Sequence, residues 1–404
     1  MKKSLFALLF VFLFRTTFSQ SAATIANGNW TNPLIWNCTC IPSNGYSVTI
    51  TNSVTLNTSL LFTSGGININ NTGSLIQDAS LNRDIWVNGG YFNNSGKANF
   101  RYFLVSAGLV TNPGSFTVSA FTNSVTFTNA GNITMDSMYV AGNLTNIAGA
   151  KIIGDSITNA TGFTFQNSGN VNVSWSLNNG VFINNNFHSG YAFTNAGSYL
   201  NYDSLILTGS IWNKAVFYNT ASGKVRLTKN FHNYHPSGTA SFNNDGNVIT
   251  LDSWYNTDTV KGPSSGYFSV TDTSANSGIM KGTFQFCDLT PPAFAPYIDF
   301  NSGSIAAGIT YCAPAGIFEN HLNEFKIYPN PSNGKLFLQS SDKNSDNLKL
   351  SIEDVNGKVV FEKIIVPNTE ISEINLEQSS GIYFLKILNT QNGNLNVQKL
   401  IIQQ

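Results

Sequence analysis

Phe193-Thr194-Asn195-Ala196-Gly197, followed by Tyr202-Asp203-Ser204-Leu205, is a phrase the chain repeats, and the repetition decides the fold. The first half returns as Phe127-Thr128-Asn129-Ala130-Gly131, Phe165-Gln166-Asn167-Ser168-Gly169 and Phe242-Asn243-Asn244-Asp245-Gly246, with looser copies at Leu144 and Phe217. The second half returns as Met135-Asp136-Ser137-Met138, Gly154-Asp155-Ser156-Ile157 and Leu251-Asp252-Ser253-Trp254. Leading apolar residues at 127, 144, 165, 193, 217 and 242 are separated by steps of 17, 21, 28, 24 and 25, an average of 23. Periods of that size mean stacked repeats. Each unit is a short β-rich run, an Asn/Gly corner, a second run and an Asp-Ser, with none of the three-four spacing of a helix. Such a coil is one rung of a parallel β-helix, an all-β solenoid. Stacking sets each Phe over the Phe of the next rung and each Asn over the next Asn, burying apolar area and joining side-chain amides into ladders. The uneven steps imply small insertions on one face, and binding is expected in such loops.

Charge is scarce and uneven. Only 10% of the 404 residues are charged and the formal net charge is zero, against roughly 25% charged residues in average globular proteins. No Glu precedes Glu319; residues 21–316 hold 10 Lys/Arg and 11 Asp, whereas the last 88 residues hold 8 Lys/Arg and 10 Asp/Glu. A domain boundary therefore falls near 317. A neutral body without a basic stripe excludes nucleic acid as partner, because phosphate binding rests on clustered Lys and Arg. The 30 Phe, 15 Tyr and 6 Trp exclude a disordered chain.

Residues 1–19 begin with Lys2 and Lys3, continue through an apolar run from Leu5 to Phe14 and end in Thr16-Thr17-Phe18-Ser19. This is the pattern of a secretory signal peptide, with cleavage expected near Ser19 and Gln20 leading the mature chain. No other apolar run approaches a transmembrane span. Residues 20–60, with Trp30, Pro33, Trp36, Cys38, Cys40 and the alternating run 46–50, read as a cap over the first open rung. Cys38 and Cys40 either bridge each other or bind metal; no neighbouring His or Cys completes a tetrahedral site, which favours the bridge. The rungs and their closing cap occupy 61–316. In an oxidising compartment Cys287 is expected to pair with Cys312, one of three pairings that four cysteines allow.

Beyond a linker at 317–324 the texture changes. Seven strands, at 325–328, 335–338, 348–353, 358–365, 371–376, 382–388 and 395–402, suggest an immunoglobulin-like β-sandwich. Asn/Gly and Pro/Asn turns separate them. Tyr328-Pro329-Asn330-Pro331, Gly334-Lys335, Asp354-Val355-Asn356-Gly357-Lys358, Ser380-Gly381-Ile382-Tyr383-Phe384 and Lys399-Leu400-Ile401 resemble the type A C-terminal sorting domain of type IX secretion system cargo in Bacteroidota, over the whole of 325–404. The resemblance implies that the secretion machinery recognises the domain at the outer membrane and that the cargo crosses. It also implies that the tag is commonly removed, while the mature protein is joined to surface lipopolysaccharide or released; the stretch from Ala315 to Asn323 is where removal is expected here. Such a domain says where the cargo goes; the cargo itself can be protease, glycosidase or adhesin.

Little in the body reads as chemistry. Gly154-Asp155-Ser156 resembles the nucleophile block of GDSL esterases, but the chain has no Asp-x-x-His to complete it, and the block sits at a repeat position. No Gly-x-Ser-x-Gly elbow, His-Glu-x-x-His or EF-hand spacing occurs, and His232 with His235 lacks a third ligand, so neither cofactor nor metal is expected. Parallel β-helices include polysaccharide lyases and glycosidases whose sites gather Asp, Lys and Arg on one outer face. Asp203, Lys224, Arg226, Lys229, Asp245 and Asp252 are candidates for such a cluster, with Asp203 and Asp252 as the catalytic carboxylates. Turn formation explains the same Asp positions without catalysis. The Asp-Ser/Thr-apolar triplets also resemble O-glycosylation acceptors of Bacteroidota, which would set sugars on Ser137, Ser156, Ser204 and Thr259 along one edge of the solenoid. The expected role is an adhesin or surface structural element contacting glycans, with a polysaccharide-degrading enzyme as the alternative. A charged cleft across neighbouring rungs favours the enzyme and a smooth face the adhesin.

Overall fold

A computed structural model describes residues 20–236, 239–292, 295–312, 325–340, 348–365, 371–389 and 395–403; the expected signal peptide and linker lie outside the described residues. The chain divides into two units between Pro314 and Ala315.

The first unit is a parallel β-solenoid of about 13 turns. A typical turn carries three short strands, as in Ala192–Asn195, Ser198–Asn201 and Ser204–Leu207, and the next repeats them as Ile211–Asn213, Val216–Asn219 and Lys224–Leu227. Each strand pairs in parallel with its equivalent one turn on. The period-two alternation of a strand turns Phe193 and Asn195 inward and leaves Thr194 at the surface.

Two asparagine ladders run inside. Nδ2 of Asn94, Asn112, Asn129, Asn146, Asn167, Asn184, Asn201 and Asn219 each donates to Oδ1 of the next member at 2.8–2.9 Å, ending on Asn244. A second ladder links Asn159, Asn178, Asn195, Asn213, Asn233, Asn256, Asn276 and Asn301 at 2.7–2.8 Å. The other amide hydrogen goes to backbone, as from Asn195 to Val216 O at 2.9 Å. An unpartnered buried amide costs about 1–3 kcal/mol. Stacking identical residues therefore lets a neutral polar group sit at each inner corner without that penalty.

The ladder steps are 17, 17, 21, 17, 17, 18 and 25 residues from Asn112 to Asn244, so a compact turn is shorter than the spacing of the sequence phrase. One apolar column holds Phe127, Leu144, Phe165, Phe182, Tyr199, Phe217, Phe242, Val260 and Met280. Phe193 belongs to another, with Ile157, Ser176, Ile211, Phe231 and Trp254. It does not stack over Phe165, contrary to the expected order. The phrase serves two corners of one coil, because both need an apolar residue and, two places on, an amide. At the start, Trp30 and Trp36 meet edge to face at 5.0 Å, and their indole N–H groups donate to Pro42 O and Trp30 O.

The second unit holds two antiparallel sheets. One comprises Phe325–Tyr328, Lys335–Ser340 and Ile371–Asn375; the other comprises Leu348–Asp354, Val359–Ile365, Gly381–Asn389 and Leu395–Ile402. Their inner faces share a core of Leu336, Leu350, Ile352, Ile374, Leu385 and Leu400. Among the described residues no helix is long and apolar enough to cross a membrane.

Candidate functional site

Asp203 lies between the strands Ser198–Asn201 and Ser204–Leu207, and its Oδ1 accepts from Ser204 Oγ at 2.9 Å. Asp252 lies at a different corner, between Asn247–Thr250 and Trp254–Asn256. Its Oδ1 accepts from Ser253 Oγ at 3.1 Å and its Oδ2 is 3.6 Å from Lys229 Nζ. The two carboxylates are not brought together as a facing pair of the kind that flanks a glycosidic bond. Lys224 stands in register with Ser204, and Arg226 with Ile206 and Ile249, so these cations join no acidic cluster. Among the described residues no group of His, Cys, Asp or Glu has the makings of a metal site.

The acceptor candidates fall on three lines rather than one edge. Ser137 pairs with Ser156, Ser204 with Phe187 and Lys224, and Thr259 with Ser241 and Ile279. The cause is the same as for the phenylalanines: Asp-Ser turns more than one kind of corner. Asp258 is buried, and its Oδ2 accepts from Ala240 N at 2.6 Å. The structure joins Cys38 to Cys40 and Cys287 to Cys312.

One arrangement has the look of a catalytic dyad. His188 Nε2 is 3.0 Å from Ser176 Oγ, and its Nδ1 is 2.9 Å from Tyr199 Oη. All three lie in the core, and burial pushes the His188 pKa down to about 3, so the imidazole is neutral and cut off from substrate. It is a polar strut.

The outer face offers more. Trp212, His232, Tyr255, Ala275 and Phe300 occupy one outward column in register. The Trp212 and His232 rings lie 5.7 Å apart with planes 2° from parallel, and His232 and Tyr255 5.0 Å apart at 10°. Partial burial holds the His232 imidazole below its ordinary pKa. The stack stops at Ala275 and resumes at Phe300, which is 67% exposed. Strands lie about 4.8 Å apart, so Tyr255 and Phe300 stand roughly two strand spacings apart, with one ring absent between them. The result is a shallow groove of about 400 Å³ with Thr257, Ser277 and Ser302 at its side. The sequence singles out His232 only as half of an incomplete metal pair and the others not at all, yet a signal exists: each directly precedes a ladder asparagine, as in Trp212-Asn213, His232-Asn233 and Tyr255-Asn256.

A second outward column sets Tyr218, Asn243, Lys261 and Lys281 in register. With Asp245, Gly262 and Gly282 they line a groove of about 450 Å³. Gly282 adopts φ +105°, and a Cβ there would meet Gly262 O at 2.1 Å, so the floor is bare backbone.

In the second unit, Tyr328 and Pro329 lead into a turn at Asn330-Pro331 that is tied to the final strand. Asn330 Nδ2 donates to Lys399 O at 2.7 Å, Asn330 Oδ1 accepts from Ile401 N at 2.8 Å, and Ser332 N donates to Ile401 O. Asp354 Oδ1 accepts from Asn356 N and Lys358 N at 2.9 and 3.0 Å around Gly357, whose φ is +80°. Gly334 has φ +102°, and Tyr383, two residues after Gly381, donates its hydroxyl to Ser379 O at 2.8 Å. Residues 326–403 match the family model described as a secretion system C-terminal sorting domain. No curated protein matches the chain.

Proposed function

The chain ends in a secretion system C-terminal sorting domain and is therefore type IX secretion cargo, destined for the cell surface or the extracellular space, and from that premise we propose that the solenoid is a glycan-binding adhesin. The observation that carries this reading is the outward column Trp212, His232 and Tyr255 with its open place at Ala275 before Phe300. The Tyr255 ring, uncovered on the side of Ala275, and the exposed Phe300 ring beyond it suit the apolar face of a sugar, and repeated weak contacts along a rigid rod add up through multivalency. Removal of the leader near Ser19 and attachment to surface lipopolysaccharide belong to the same reading. The separation of Asp203 from Asp252 weighs against hydrolysis by that pair. The test is retention of the full secreted chain on neutral polysaccharide gels, beside the Tyr255→Ala/Phe300→Ala variant. The variant should lose retention at least tenfold; equal retention, or none by the parent protein on any gel, overturns the proposal.

A further inference from the structure

Lys261 and Lys281 are direct register neighbours on adjacent turns. Among the described residues neither belongs to an ion pair; those present join Arg101 to Asp84, Lys229 to Asp252, Lys335 to Glu373, Lys349 to Glu362 and Lys386 to Glu353. Like charges directly opposite one another in a sheet destabilise it. Residues 21–316 carry only 10 Lys/Arg, and two of them stand side by side here with no ion-pair partner, Asp245 being the acid nearest them on the groove wall.

Asn243, one turn before Lys261 in the same column, is only 5% exposed; its Nδ2 donates to Phe217 O, while its Oδ1 is buried without a hydrogen-bond partner. Native buried polar atoms are rarely left unpaired, and this one borders the groove. Tyr218, 45% exposed, stands one turn further back and offers a ring face. Asp245 adds an acceptor at the rim. From Tyr218 to Lys281 the column covers three strand spacings, about 14 Å, longer than a single sugar ring.

We infer that the groove of Tyr218, Asn243, Lys261 and Lys281 binds an anionic oligosaccharide. The two ammonium groups hold a carboxylate or sulfate, and the Tyr218 ring stacks beneath a neighbouring unit. This site lies on a different strand face from the Trp212–Phe300 column and does not depend on it.

The experiment titrates the full secreted chain with short oligogalacturonate, with the same oligosaccharide after methyl esterification, and with inorganic sulfate. Oligogalacturonate should bind, and the neutral ester should bind at least tenfold more weakly. Lys261→Gln/Lys281→Gln should abolish the difference, and Tyr218→Ala should weaken both ligands, whereas Lys151→Gln, an exposed lysine elsewhere on the rod, should change nothing. Equal affinity for acid and ester, or an unchanged affinity in the double variant, overturns the site. If inorganic sulfate displaces the oligosaccharide at equal concentration, the lysines are a general anion trap and the saccharide assignment falls. Retention on neutral gels, sensitive to Tyr255→Ala, is read separately, so this inference and the adhesin proposal fail independently.

Discussion

Asn159 heads the second asparagine ladder, and its Oδ1 is buried without a partner. The residue above it in register is Val140, fully buried, and above that comes Asn123, whose Nδ2 turns aside to Val125 O at 2.8 Å. The ladder is thus interrupted by one side chain, and Val140→Asn should mend it: the introduced amide donates to Asn159 Oδ1 and accepts from Asn123. Losing the buried valine costs about 1.5–3 kcal/mol of apolar burial. Two new hydrogen bonds return about 1 kcal/mol each, and satisfying the orphaned oxygen returns about 1–3 kcal/mol more. The substitution should be neutral or stabilising by up to about 3.5 kcal/mol. Val225→Asn is the control, since Val225 is equally buried between Leu205 and Val248 and meets no amide above or below. There the apolar loss stands and a new amide goes unpaired, a total of about 3–5 kcal/mol. Urea unfolding followed by tryptophan fluorescence reads the difference as a shift in midpoint, the appropriate quantity for a solenoid in which turns need not unfold together. Equal losses in the two variants would refute the idea that side-chain ladders, rather than burial alone, stabilise the corners.

Three other outcomes are expected. His188 is held at a pKa of about 3 against 6.5 for the free side chain, so the unfolded chain takes up the proton first. Stability should be flat above pH 6.5 and fall toward pH 3, by on the order of 3 kcal/mol at pH 4; His188→Phe should flatten that part of the urea-midpoint profile, and an unchanged slope would exclude His188 as its source. Breaking the bridge between Cys287 and Cys312, which are 25 residues apart, should cost about 3 kcal/mol of loop entropy and lower the thermal midpoint, whereas Cys38→Ser/Cys40→Ser should move it little. Asn330→Ala unfastens the Pro-Asn-Pro turn from Lys399 and Ile401; cell fractionation should find the variant retained inside the cell envelope, and normal export would show that this tie is dispensable for sorting.

The repeat, the amide ladders and the seven C-terminal strands were legible because each is a local, periodic demand on the sequence. Phe-x-Asn means an apolar anchor and a corner amide wherever it occurs. The division of those phrases between faces was not legible. Phe165 and Phe193 carry the same local message, yet the first pairs with Leu144 and Phe182, and the second with Ser176 and Ile211. Which corner a phrase turns depends on how many residues the previous corners consumed, and Ala160-Thr161-Gly162 or Thr220-Ala221-Ser222 lengthen a turn without changing its strands. The acceptor serines were scattered for the same reason.

The candidate sites escaped for the opposite reason, since they lie where the sequence departs from its repeat. An inward residue must match its neighbours above and below, so Asn184 dictates Asn201, and Phe217 stacks on Phe242 at 4.4 Å. An outward residue carries no such obligation, and the outer columns drift freely: Leu200, Tyr218, Asn243, Lys261 and Lys281 share one line. Repetition therefore reports the scaffold, while Ala275 in a column of rings and the pair Lys261 and Lys281, at the turns where the ladder has given way to Gly262 and Gly282, answer to no inner neighbour and leave no periodic trace in the sequence.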